Sequence, residues 1–68
     1  MFELFKLLDA RAHISYPIVI NNTILFVFED KKITLQATQV TDIYDVFQND
    51  KYQESMTENE IISKFQLK

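Results

Sequence analysis

Sixty-eight residues of 8.1 kDa, with a single proline, hold one hydrophobic core and no second, so residues 1–68 are expected to form a single domain. With 47% apolar and 25% charged residues, the chain has the balance of a folding globular protein rather than a disordered one. Cysteine and glycine are both absent, which excludes disulfides, thiolate metal sites, cysteine nucleophiles and the glycine-rich loops that cradle phosphate.

The N-terminal stretch carries Glu3, Lys6 and Asp9 where a signal peptide needs an unbroken apolar run, so no leader is expected. No segment approaches the roughly 18–20 consecutive apolar residues of a spanning helix. A cytoplasmic setting without a membrane is the expectation, and the lack of cysteine agrees with it. The net charge of −3 is uneven: residues 1–40 hold four acids and four bases, residues 41–68 six acids and three bases. Lys31 and Lys32 are the only adjacent basic pair, which disfavours duplex nucleic acid as a partner.

From Phe2 to Ala12 the polar residues Glu3, Lys6, Asp9 or Arg11, and then His13 recur at intervals of three or four between Phe2, Leu4, Phe5, Leu7, Leu8 and Ala12, which predicts a helix with a wide apolar face. It should end by about His13, because Pro17 pushes the residue before it out of helical conformation. The β-branched and aromatic runs at residues 18–20, 23–28 and 33–38 predict three strands of an antiparallel meander. Asn21-Asn22 fits a type I′ turn, since asparagine tolerates positive φ. The stretch 29–32 forms the second turn, with Glu29 and Lys32 facing each other as an ion pair and Phe28 opposite Ile33.

That register sorts the strands into two faces. Val19, Ile24, Phe26, Phe28, Ile33, Leu35 and Ala37 form a core face for the N-terminal helix. Tyr16, Ile18, Ile20, Leu25 and Val27 gather on the other side with Thr23, Thr34, Gln36 and Thr38. Beyond Gln39, Val40, Ile43, Tyr44 and Phe47 stand at i, i+3, i+4 and i+7, predicting a short helix capped by Thr41 or Asp42. After the turn-like residues 48–51, Thr57 and Glu60 form a capping box, with Met56 before the cap placed to pack on Ile61 as a hydrophobic staple. The resulting expectation is an α+β domain with an N-terminal helix, a three-stranded antiparallel meander and two short C-terminal helices.

The second sheet face is the feature that points to function. Burying Ile18, Ile20, Leu25 and Val27 is worth about 1.5–3 kcal/mol each, a sum comparable with the ~3–10 kcal/mol total stability of a chain this long. Either the C-terminal helices fold back over this face, or another chain covers it. The second option makes the protein a small non-enzymatic protein–protein interaction module, a regulator, inhibitor or adaptor, acting as a homodimer through Tyr16, Ile18, Ile20, Leu25 and Val27 or through an edge strand. Two alternatives stand beside it: a nucleic-acid-associated regulator using Lys31, Lys32 and the threonine-rich face, and a structural subunit of a larger assembly.

Other features have plain structural readings. The acids Asp42, Asp45, Asp50, Glu54, Glu58 and Glu60 lack the calcium-loop pattern and read as helix-start charges and solvated surface. His13, the single histidine, has no motif partner and reads as a residue that satisfies carbonyls at a helix end. No metal, cofactor or catalytic activity is expected.

Overall fold

A computed structural model describes residues 2–68. The order of elements is α1 (Phe2–Asp9), β1 (Ser15–Ile20), β2 (Thr23–Phe28), β3 (Lys31–Ala37), β4 (Ile43–Gln48), β5 (Lys51–Thr57) and α2 (Glu58–Lys64). The strands form one antiparallel sheet in the order β1-β2-β3-β4-β5, an uninterrupted meander.

The expectation of three strands followed by two C-terminal helices is therefore corrected: among the described residues there are five strands and one C-terminal helix. The i, i+3, i+4, i+7 spacing around Ile43 also fits a strand, because Tyr44 and Val46 alternate with Ile43, Asp45 and Phe47. β-branched and aromatic residues favour that choice, and Tyr44 and Val46 are buried in register with Ala37 and Leu35 of β3. Thr41 and Asp42 cap no helix. They belong to a loop in which Asp42 takes φ 67, and the Thr38 hydroxyl accepts the Val40 N–H and lies 2.9 Å from the Ile43 carbonyl.

α1 stops at Asp9, short of His13, and a further turn carries the chain on through hydrogen bonds from Arg11 N–H to Leu8 and from Ile14 N–H to Arg11. The loop joining β2 to β3 is only Glu29-Asp30, with φ 52 and 63, so Phe28 faces Lys31 and Ile33 faces Phe26 instead. Lys32 pairs with Asp50 at 2.8 Å, not with Glu29. In the first hairpin only Asn21 takes positive φ (55), so the type I′ expectation, which needs both residues left-handed, does not hold there. Asn49-Asp50 supplies the last hairpin turn, with φ 51 and 68.

The moved partner of Phe28 leaves the faces intact, because two positions along a strand return a side chain to the same side. Ile24, Phe26, Ile33, Leu35, Tyr44, Val46 and Met56 form one buried cluster with Leu4 and Leu8 of α1, Ile14, Ile61 of α2, Phe65 and Leu67. Both helices thus lie on the same side of the sheet. α2 begins with the expected capping box: the Thr57 hydroxyl accepts the Glu60 N–H (3.2 Å) and the Glu60 carboxylate accepts the Thr57 N–H (2.8 Å). It ends in a left-handed Gln66 (φ 57), with Gln66 N–H bonded to Ser63 and Leu67 N–H to Ile62, the pattern of a Schellman cap. Phe65 is the hub of this layer. Its ring meets Phe26 and Phe28 edge-on, each at 5.1 Å, and its carbonyl accepts the His13 Nε2–H at 2.9 Å.

Candidate interaction surface

The side of the sheet opposite the helices carries Ile18 and Ile20 from β1, Leu25 and Val27 from β2, and Thr34 and Gln36 from β3, a grouping fixed by the pairs Ile18–Leu25, Ile20–Thr23 and Leu25–Thr34. No element among the described residues covers it, since both helices pack on the other face. The four aliphatic residues expected to gather here do so, but unequally. Leu25 and Val27 are half-buried between neighbouring strands, whereas Ile18 and Ile20 on the outermost strand are 48% and 53% exposed.

Tyr16, the fifth candidate, departs from simple alternation. The register slips between Ser15 and Ile18, and Tyr16 sits in that bulge with φ 56, 82% exposed. A bulky residue in left-handed conformation costs about 1–2 kcal/mol, and the adjoining Pro17 fixes the chain that leaves it. Val19 occupies the helix-side face as expected, yet it is 41% exposed.

The surface also includes residues that sequence reasoning missed. Phe47 of β4 stands opposite Thr34 and Tyr52, its ring 5.7 Å edge-on from the tyrosine. Asp45 accepts the Ser55 hydroxyl at 2.7 Å, and the Tyr52 hydroxyl lies 2.9 Å from the same Ser55 oxygen. The alternation of β4 was the signal that would have placed them. The face therefore grades from aliphatic at β1 and β2 to polar and aromatic at β4 and β5.

The two sheet edges differ as strongly. β1 reads Ser-Tyr-Pro-Ile-Val-Ile, with no ionisable group but the tyrosine phenol, and β5 reads Lys-Tyr-Gln-Glu-Ser-Met-Thr with a second irregularity facing Val46 and Phe47. Charge and a bulge are the common means of blunting an exposed edge, and β5 has both. Glu54 of that edge reaches Lys64 of α2 at 3.7 Å.

The remaining candidates do not assemble into a site. Lys31 and Lys32 diverge, because successive residues of a strand point to opposite faces, and Lys32 is engaged by Asp50. A cleft of about 160 Å³ lies on the helix side over Phe28, Ile33, Val46 and Phe65, but its rim mixes Lys31 and Lys64 with Glu29. His13 serves the end of α2 through Phe65 rather than the end of α1. No group of three or more His, Asp or Glu side chains converges among the described residues. Burial lifts the Tyr44 phenol above its ordinary value, with the nearby Glu58 and Asp42 carboxylates adding to the effect. Hydrogen bonds from Thr57 hold the exposed Glu60 carboxyl below its own. Both groups belong to the α2 junction, away from the open face. No helix among the described residues is long and apolar enough to cross a membrane. Comparison with known proteins returns no matching family model, no matching curated protein and no matching solved structure.

Proposed function

We propose that this chain is a non-enzymatic protein-interaction module, a small regulator, inhibitor or adaptor, that works as a homodimer through the surface containing Tyr16, Ile18, Ile20, Leu25 and Val27. The observation that carries the reading is the uncovered aliphatic end of the sheet, where Ile18 and Ile20 stay about half exposed while both helices serve the opposite face. Apolar surface gathered in one place, rather than scattered singly, marks a contact with another chain. Two-fold association is the commonest closed arrangement of small soluble proteins and needs only one self-complementary patch.

The divergence of Lys31 and Lys32 and the Lys32–Asp50 ion pair favour protein over nucleic acid as the partner. Light scattering over a micromolar concentration series tests the proposal. The expected mass is twice that of the chain, and Ile18→Glu, which leaves the core untouched, should return it to the monomer mass without loss of secondary structure. A monomer at every concentration refutes it.

A further inference from the structure

Resting on that homodimer reading, we infer that the seam is the free edge of β1, paired antiparallel with β1 of a second copy about a two-fold axis at Val19, so that two five-stranded sheets join into one of ten strands. Ile20 and Thr23 flank a two-residue loop and exchange both of their backbone hydrogen bonds. Alternation along the strand then turns the N–H and C=O of Val19 away from β2, toward solvent. Two Val19 residues facing each other across the axis satisfy both pairs of groups.

The same register sets Ile18 opposite the partner's Ile20, and Ile20 opposite the partner's Ile18, on the open face. These are the half-exposed side chains that a lone subunit leaves in water. Centring the axis on Val19 makes the strand self-complementary, because the flanking residue on each side is isoleucine.

Charge selects the edge over the alternatives. Stacking two open faces would take Lys32 and Asp45 out of water, and the desolvation of two charged groups opposes that arrangement. The β5 edge carries the exposed, charged Lys51 and Glu54. Of the two edge strands only β1 has no carboxylate or ammonium group, so two copies of a chain with net charge −3 meet there without like charges in contact. Pro17 and the bulge at Tyr16 confine pairing to the last half of the strand, and the charged β5 edges left at the two ends of the joined sheet limit growth beyond the dimer.

The chain has no cysteine, so a single-cysteine scan reads the seam directly. A two-fold axis at Val19 brings that position about 5.5 Å from its copy, Cα to Cα. This lies inside the roughly 4.4–6.8 Å range of disulfides. Position 18 lies diagonal to its copy at about 7–8 Å, at the limit of that range or beyond it. Under mild oxidation Val19→Cys should give a disulfide-linked band at twice the monomer mass. Ile18→Cys, Leu25→Cys and Tyr52→Cys should lag, although residues 18 and 52 are more exposed than residue 19. Linkage through Leu25→Cys in place of Val19→Cys, or a dimer by light scattering in which Val19→Cys links no faster than Tyr52→Cys, overturns the seam and leaves the homodimer standing. A monomeric unsubstituted chain with no preference among the four positions overturns both.

Discussion

A chain without glycine must place ordinary residues wherever the backbone turns left-handed, and Glu29 is the clearest instance. Its φ of 52 opens the β2–β3 loop, its side chain is exposed, and it forms no ion pair among the described residues. The Cβ of an L-residue in this conformation costs about 1–2 kcal/mol. Glycine removes that cost and returns about 0.4–1 kcal/mol of it as extra freedom of the unfolded chain. Glu29→Gly should therefore stabilise the fold by about 0.5–1 kcal/mol, raising the melting temperature of a domain this size by roughly 2–8 °C. Urea unfolding checks this as a higher midpoint at unchanged slope. Glu29→Ala is the control, since it deletes the charge beside Asp30 but keeps the Cβ. Equal gains from alanine and glycine would assign the effect to charge repulsion, and no gain from glycine would refute the conformational argument outright.

Three further outcomes follow from the helix layer. Phe65→Ala should cost about 3–5 kcal/mol, comparable with the whole ~3–10 kcal/mol available to a chain of this length, and near-UV circular dichroism should show its tertiary signal lost or greatly weakened at 25 °C. Thr57→Ala removes one half of the capping box and should lower the urea midpoint by an amount equivalent to about 0.5–2 kcal/mol; an unchanged midpoint contradicts the cap. Tyr44, whose proton the folded state holds more tightly than the unfolded chain does, contributes stability that is complete below about pH 10 and is lost as pH rises through the folded value. Stability compared across that alkaline range should fall more steeply for the unsubstituted protein than for Tyr44→Phe, and equal slopes would contradict the assignment.

The parts of the fold legible in the sequence were those where one local signal had no competitor. The Thr57/Glu60 capping box is such a signal, and it lies where expected. Strands β2 and β3 are others: β2 is a run of β-branched, aromatic and leucine residues, and in β3 Ile33 and Leu35 alternate with Thr34 and Gln36, so neither leaves a helical period to read. Residues 40–48 carry two periods at once. Val40, Ile43, Tyr44 and Phe47 satisfy a helix, while Tyr44 and Val46 against Asp45 and Phe47 satisfy a strand, and the free edge of β3 decides between them. β5 was illegible for a different reason. Only Met56 of its seven residues is buried, so the strand is held mainly by backbone pairing to β4, which leaves little hydrophobic pattern. Reading residues 40–47 as helix hid Asp45 and Phe47, and leaving 52–55 without a strand hid Tyr52 and Ser55, and with them half of the open face.

The size of the helices explains why one face stays open. Five strands about 4.8 Å apart make a sheet roughly 19 Å across between its outer strands. α1 and α2, of eight and seven residues, are about 12 and 10 Å long and each about 10 Å wide, so side by side they cover one face and no more. Putting residues 43–57 into two strands widened the sheet by the same step that removed one of the two helices that could have folded over its second side. The uncovered apolar area is thus a consequence of the meander's length and not of poor packing, since the other face is buried to completeness at Leu4, Leu8, Ile24, Leu35, Ile61 and Leu67. The polar half of the open face, with Asp45 and Tyr52 both bonded to Ser55, tolerates water. The aliphatic half has no such partners, and it lies at the uncharged edge, where a second sheet can extend the first without desolvating an ion.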